Sequence, residues 1–346
     1  MGNGDYRVAQ WGTGCTGQGA IKAVLRHPAL SLVGAKVYSP GKVGRDVGEI
    51  AGVAATGVIA TDRIEDILAL RPDCVVYMPD TESIDDMCRL LAAGSNIVTP
   101  ILGYNHRESI APAVRERLER ACTEGKSSLY ASGSSPGWLS EILPFALTLT
   151  QSRLERMIIT DFSDMAASTF SAMMLFDKIH FGARPSEVDP NEPIGTAVST
   201  PPTLRMMAEA LGLRIDEITA KRDFALATRT VELQAGTVPA GTIGAVRMEI
   251  TGFCEGNPMV TRRTIWHVTR HIDADWDLRD DGIHYLVEGD VPLDVMIRMP
   301  AAPDQLADVQ GAITANPVVN AIPYVCAAPP GIRETSELPT VLARFG

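Results

Sequence analysis

The stretch YRVAQWGTGCTGQGAIKAVLR, residues 6–26, constrains the fold more than any other part of the chain. A β-type run from Tyr6 to Trp11 passes directly into Gly12, Gly14 and Gly17, then into a segment whose Ile21, Val24 and Leu25 share one helical face. After His27-Pro28 comes LSLVGAKVY, a second strand, so the glycines sit inside a βαβ unit. Each glycine answers a physical demand. The first permits a tight turn, the second lets backbone approach a pyrophosphate, and the third lets helix pack on strand. The helix N-terminus adds free amides and positive dipole. A glycine triplet alone marks only a turn; in this setting it predicts dinucleotide binding, with Gly12, Thr13, Gly14, Cys15, Thr16 and Gly17 around the phosphates.

The alternation continues. Asp62-x-x-Glu65 reads as a capping box opening a helix with Ile64, Ile67 and Leu68 on one face, and Cys74 to Met78 reads as a buried strand followed by Pro79. Ser83 to Ala93 is helical and closes at Gly94, Ile97 to Thr99 is a strand, Glu108 to Glu124 is a helix closing at Gly125, and Ser128 to Ser132 is a strand. An α/β Rossmann domain with a doubly wound parallel sheet is expected over residues 1–150. From about Leu154 the alternation stops. A helix from Pro201 to Leu211 precedes GAVRMEITGF, RRTIWHVTRHI, GIHYLVEG and LDVMIRM, strands separated by turn residues. They predict an α+β domain over 151–303 on an open, mostly antiparallel sheet, which serves substrate and dimerisation and favours a homodimer. Residues 304–346 return to helix-like sequence, at Asp304 to Thr314 and then VVNAIPYVCAAPPGI, and are expected to pack back on the Rossmann domain.

Composition removes several function classes. With 346 residues and a net charge of −11, the chain has room for two domains and lacks the basic surplus that a nucleic-acid backbone needs. No apolar run approaches the ~20 residues that cross a bilayer, and the N-terminus lacks a basic stretch before an apolar one, so a cytoplasmic protein is expected. Six cysteines without a C-x-x-C pair read as buried thiols. His267 and His271 fall in strand-forming sequence without H-E-x-x-H, so no metal is expected.

The second strand ends in Val37-Tyr38-Ser39, where an NAD-preferring site places an acid against the ribose 2′-hydroxyl. No carboxylate stands there to repel a 2′-phosphate, and the next loop carries Ser39, Lys42 and Arg45. NADP is favoured as cofactor. NAD stays open, because Lys42 and Arg45 can also be ordinary solvated charges.

With the motifs placed, the chain resembles the 2,4-diaminopentanoate dehydrogenase and native amine dehydrogenase family, related to dihydrodipicolinate reductase. The resemblance covers nearly the full length and rests on VAQWGTGCTGQGAI, VGAKVYSPGKVGRDVGEIAG, ASGSSPGWLSEILP, MLFDKIHFG and VVNAIPYVCAAPPG. It implies hydride transfer between the nicotinamide and the carbon of an amine or imine, with substrate held between the domains. By position it places Gly133 to Trp138, including Ser134 and Pro136, beside the nicotinamide, Asn320 at the carboxamide end, and Trp138 in the pocket. Ser134 to Gly137 could equally be a simple turn and Trp138 a core aromatic. One departure stands out: amine-forming members carry a glutamate after the strand that here reads NIVTP, and this chain continues Ile101-Leu102-Gly103-Tyr104-Asn105-His106. Candidate replacements are Tyr104, Asp164 and His180, with Asp161 and His106 beside them. The Glu-Lys-Pro of sugar-type relatives and the paired histidines of dihydrodipicolinate reductase are absent. Ile101, Leu102 and Trp138 favour a hydrophobic substrate. Three functions remain open on sequence: amine dehydrogenase or imine reductase, a carbonyl reductase using Tyr104 or His106 as proton donor, and a sensor of NADP(H).

Overall fold

A computed structural model of the chain describes residues 6–167, 172–189, 195–302 and 305–344. Strand β1 (Tyr6–Trp11) leads through the glycine turn into α1 (Cys15–Arg26), whose buried Gly17, Ala20, Ile21 and Val24 recur at helical spacing along one face. Strand β2 (Leu30–Lys36), the short helix α2 (Val47–Ile50) and the edge strand β3 (Ala60–Thr61) follow. Then come α3 (Ile64–Leu70), β4 (Cys74–Tyr77), α4 (Ile84–Ala92), β5 (Asn96–Thr99), α5 (Pro112–Gly125) and β6 (Ser128–Ala131). The irregular segment Ser134–Ile142 closes this leg, with non-helical backbone at Ser135, Pro136 and Gly137.

The chain then enters a second unit, Leu143–Pro300. It contains α6 (Leu143–Thr148), β7 (Leu154–Asp164), α7 (Gly195–Ala210), β8 (Glu217–Leu226), the hairpin of β9 (Val231–Leu233) and β10 (Gly236–Val238), β11 (Ile243–Cys254), β12 (Asn257–His267), β13 (Gly282–Gly289) and β14 (Leu293–Ile297). The last leg rejoins the first unit, which comprises Met1–Ile142 and Ala301–Gly346. It supplies α8 (Leu306–Ala327) and β15 (Gly331–Arg333).

The first unit is a parallel sheet in the order β15-β6-β5-β4-β1-β2-β3. Strand β4 is buried throughout, as a strand covered on both faces must be. One face packs Ile67, Leu90, Leu91 and Leu118 from α3, α4 and α5; the other packs Ala20 and Val24 from α1 with Val318, Val319, Ile322 and Val325 from α8. The strand order reverses between β1 and β4. In such sheets the crevice at that reversal, beyond the carboxyl ends of the strands, is where ligands bind.

The second unit is a mixed sheet in the order β14-β13-β7-β12-β11-β8, antiparallel except where β12 runs parallel to β7. Met157, Ile159, Met248, Ile250, Val260, Tyr285 and Val287 bury one face. The opposite face carries the Arg263–Glu249 and Arg247–Asp223 ion pairs.

Several local expectations need correction. The Asp62 capping box does not form: Arg63 is the N-cap of α3 without a side-chain bond, and Thr61 Oγ1 takes the bracing role, donating to Asp66 and accepting from the Arg63 amide. Helix α5 starts at Pro112 rather than Glu108, with Pro112 at the first helical position where its missing N–H is harmless. Gly125 is the last residue of α5 rather than its cap; Lys126 holds the left-handed turn, and a Cβ on Gly125 would overlap the Leu91 carbonyl. Helix α7 begins at Gly195, so Pro201 and Pro202 lie within it. Of the cysteines, only Cys74 and Cys122 are buried, while Cys15 is exposed at the start of α1.

Candidate active site

Gly12 adopts φ +87°, left-handed backbone that a side chain resists, and a Cβ there would overlap the Met78 carbonyl oxygen beside Pro79. Gly17 is equally confined, since its Cβ would overlap the Gly12 carbonyl oxygen. Gly14, the N-cap of α1, differs: a Cβ there meets nothing within 4 Å. Two glycines are thus demanded by the protein's own packing, and the third keeps open the space beside the orphan amides of the helix. A pyrophosphate fits that cradle.

Side chains brace the turn. Gln10 Nε2 donates to the Gly12 carbonyl at 2.8 Å, and Lys42 Nζ donates to the Thr13 carbonyl at 2.8 Å and to Thr13 Oγ1 at 3.2 Å. Thr13 is buried, while Cys15, Ser39 and Arg45 are exposed and Thr16 half-buried. Lys42 belongs to the turn Pro40–Lys42, and the loop after it is organised by Asp46. The Asp46 carboxylate accepts from the amides of Gly48 at 2.7 Å, Thr56 at 3.0 Å and Gly57 at 2.7 Å, bonds that hold its pKa below the ordinary carboxylate value.

The end of β2 holds a cation that the sequence reading passed over. Lys36 is buried, its Nζ 3.8 Å from the Tyr38 ring centroid and 4.9 Å from that of Trp11, whose Nε1 donates to Tyr38 Oη at 2.8 Å. Burial lowers its pKa, while Asp86 and Asp62 oppose that effect. The available signals were a Lys ending the second strand, LSLVGAK, and a Trp just before the glycine turn.

The loops after β5 and β6 and the segment after β15 meet at Glu141. This carboxyl is fully buried; Asn105 Nδ2 donates to Oε1 at 2.9 Å, Thr335 Oγ1 donates to Oε2 at 2.5 Å, and the Gly137 amide also bonds to it. Burial pushes its pKa up to about 8. In sequence it is one acid in LSEILP, with nothing to show that its partners lie 36 and 194 residues away. Nearby, Ser134 Oγ meets Thr314 Oγ1 of α8 at 2.9 Å; Asn320 lies half-buried on the same helix, Pro136 is buried and Trp138 half-buried. On the loop after β5, Ile101 is half-buried and Leu102 exposed.

The candidate acids separate. Tyr104 is packed in the core with Trp11 and Tyr77, and burial and Glu82 push its phenol pKa up. His106 is buried with Nδ1 2.7 Å from Ser109 Oγ. Asp161, Asp164 and His180 belong to the second unit. Asp161 stands 3.9 Å from the buried Arg262, and burial raises its pKa. His180 is half-buried at φ +69°. Asp164, at the end of β7, is 38% exposed, and its Oδ1 lies 3.8 Å from Nδ1 of the wholly buried His267. The other ring nitrogen of His267 faces the Arg279 carbonyl at 3.2 Å; a carbonyl only accepts, so Nε2 carries a proton and Nδ1 turns its remaining site toward Asp164. Among the described residues no group of three His, Cys, Asp or Glu could hold a metal ion, and no helix is long and apolar enough to cross a membrane.

A strand–glycine turn–helix at the reversal of a parallel sheet, with a second unit on a mixed sheet, defines a two-domain NAD(P)-dependent oxidoreductase. Residues 190–346 match the family model described as 2,4-diaminopentanoate dehydrogenase C-terminal domain. An amine dehydrogenase of Streptomyces virginiae is 34% identical over 351 residues, covering 95% of each chain, and the chain belongs to the amine dehydrogenase family. A 4-hydroxy-tetrahydrodipicolinate reductase of Methanothermobacter thermautotrophicus is 34% identical over 122 residues, 33% of this chain and 44% of that one. The fold matches the amine dehydrogenase of Mycobacterium smegmatis, with TM-score 0.78, 20% identity and 98% of each chain covered. It also matches a scyllo-inositol dehydrogenase of Lactobacillus casei with bound NAD(H) and scyllo-inositol, at TM-score 0.56 and 12% identity over 96% of this chain and 92% of that one.

Proposed function

We propose that this chain transfers hydride between NADP(H) and a C=N carbon of a small, largely apolar amine or imine, as an amine dehydrogenase or imine reductase, and works as a cytoplasmic homodimer. The observation that carries the choice of cofactor is Lys42 folded onto Thr13 of the glycine turn, at the end of a strand that offers a buried Lys36 and no carboxylate. The amides of Cys15, Thr16 and Gly17 would take the pyrophosphate. Thr13, Ser39, Lys42 and Arg45 would take the adenosine phosphate, and Pro79, Ser134, Pro136 and Asn320 the nicotinamide half. The nicotinamide supplies or receives the hydride; this chain's residues orient the partners and keep the site dry. Ile101, Leu102 and Trp138 would line the substrate space. Tyr104 and His180 remain with Asp164 as proton-handling candidates, and Asp164 leads because its carboxylate is 38% exposed at the end of β7 beside the buried His267. Assembly through the open sheet of the second unit would cover its charged face.

NADPH and NADH oxidation against cyclic and aliphatic ketones and aldehydes, with ammonium, with methylamine and with neither, tests this reading. The expected result is turnover that requires an amine and prefers NADPH, with Asp164→Asn lowering kcat by about a hundredfold. The run Ile101–His106 after β5, which holds no carboxylate, favours a second reading as a carbonyl reductase; turnover independent of ammonium would establish it.

A further inference from the structure

We propose that Glu141 is a positioning residue that joins the loops after β5, β6 and β15 into one frame at the nicotinamide end of the crevice. All three strands run parallel, so all three segments emerge at the same edge of the sheet, the edge that bears the glycine turn. The inference rests on the reading above that the turn Ser134–Gly137 borders the nicotinamide.

The frame is built from one side chain outward. Glu141 binds Asn105 of the first segment, the Gly137 amide of the second and Thr335 of the third. Secondary ties repeat the pattern. The Arg107 amide donates to Glu334 Oε1 at 2.7 Å and its guanidinium to Glu337 Oε1 at 3.0 Å, so the first and third segments are also bound directly. Ser134 is held to α8 through Thr314. The charged and titratable groups facing Glu141 are Tyr130 of β6 and Glu334 of the tail, with His106 next to Asn105. Thr335 Oγ1 is 3.2 Å from Tyr130 Oη, so its hydroxyl can reverse direction and serve Glu141 as either carboxyl or carboxylate. Wholly buried behind these loops, Glu141 is not placed to touch substrate and acts through the segments it binds. A carboxyl bonded to a turn only to fix its own fold would need none of the distant partners.

The test uses the full chain with Glu141→Ala and Glu141→Gln. Hydrogen exchange is read in residues 100–109, 133–142 and 333–338, and affinity is read for NADPH and for 2′-phospho-ADP-ribose, which lacks the nicotinamide. In Glu141→Ala, exchange is expected to rise about tenfold or more in all three segments while residues 18–26 of α1 stay protected, as loss of a buried hydrogen-bonded hub predicts. The Kd for NADPH rises about tenfold, and that for the fragment stays within about twofold. Glu141→Gln, which keeps the shape and an acceptor, restores both. Exchange rising only within 133–142, or equal weakening of both ligands, would overturn the proposal. Should Glu141→Ala fail to fold, Asn105→Ala and Thr335→Val each remove one strut and are expected to loosen the two segments they do not belong to. If the wild-type protein binds neither NADPH nor NADH, the cofactor reading fails, while the coupled exchange still decides whether the frame exists.

Discussion

Gly14, Gly17 and Lys42 separate what the cofactor needs from what the fold needs. Because a Cβ on Gly14 meets nothing, Gly14→Val should leave Tm within a few degrees and weaken NADPH binding, read by tryptophan fluorescence, by about tenfold or more. Gly17→Ala should instead lower Tm, since its Cβ overlaps the Gly12 carbonyl. Lys42→Ala should raise the Kd for NADPH about tenfold and that for NADH much less; equal effects would mean that Lys42 only braces Thr13. Glu141 carries a pH signature. Its folded pKa, about 8, stands above the ordinary 4.5, so between those values the unfolded chain releases a proton that the folded chain keeps. Its contribution to stability is therefore full below the lower value and is lost as pH rises through the upper one. Melting curves taken from pH ~5 to ~8.5 should show wild-type Tm falling relative to Glu141→Gln across that window. The glycine turn was legible in sequence because its requirements lie within a dozen consecutive residues. Lys36 and Glu141 were not, because what makes them special is supplied by aromatic faces and struts that only the folded chain brings near.

Elements with strong local periodicity, β1, α1, β4 and α4, stand where the sequence places them, although Leu25, expected on the buried face of α1, is 43% exposed. Errors came where tertiary partners override local signals. The start of α5 at Pro112 and the bracing of α3 by Thr61 are cases where a second residue outcompetes the obvious one. Strands β7 and β8 lack a clear strand signal in sequence because Glu155, Arg156, Lys221 and Arg222 interrupt their apolar runs; one face of that sheet bears ion pairs, so charge there is compatible with a strand. The two helix-like stretches of the C-terminal sequence form one element, α8, with Pro317 and Pro323 inside it and Val318, Val319, Ile322 and Val325 buried on the sheet and against α1. Ile322→Ala is expected to cost about 2–5 kcal/mol by urea unfolding, since Ile322 is wholly buried in this cluster.

At the scale of the whole molecule, the first unit is assembled from both ends of the sequence. A chain stopped at residue 142 should fail to give a cooperatively melting Rossmann unit, and co-expression with residues 301–346 should restore it, because α8 and β15 complete the sheet and one of its faces. Cooperative melting of the short fragment alone would show that α8 is dispensable. This split also sets a timetable during synthesis. The face formed by Val8, Val24, Val76 and Val98 is made early, but its cover arrives only after the 158 residues of Leu143–Pro300 have been added, a wait of about 10–30 s at ribosomal speeds. For that interval the nascent chain presents an oily plane to the cell. Holding chaperones are therefore expected to engage the N-terminal half, and any premature stop before α8 leaves a product destined for proteolysis rather than a smaller working enzyme.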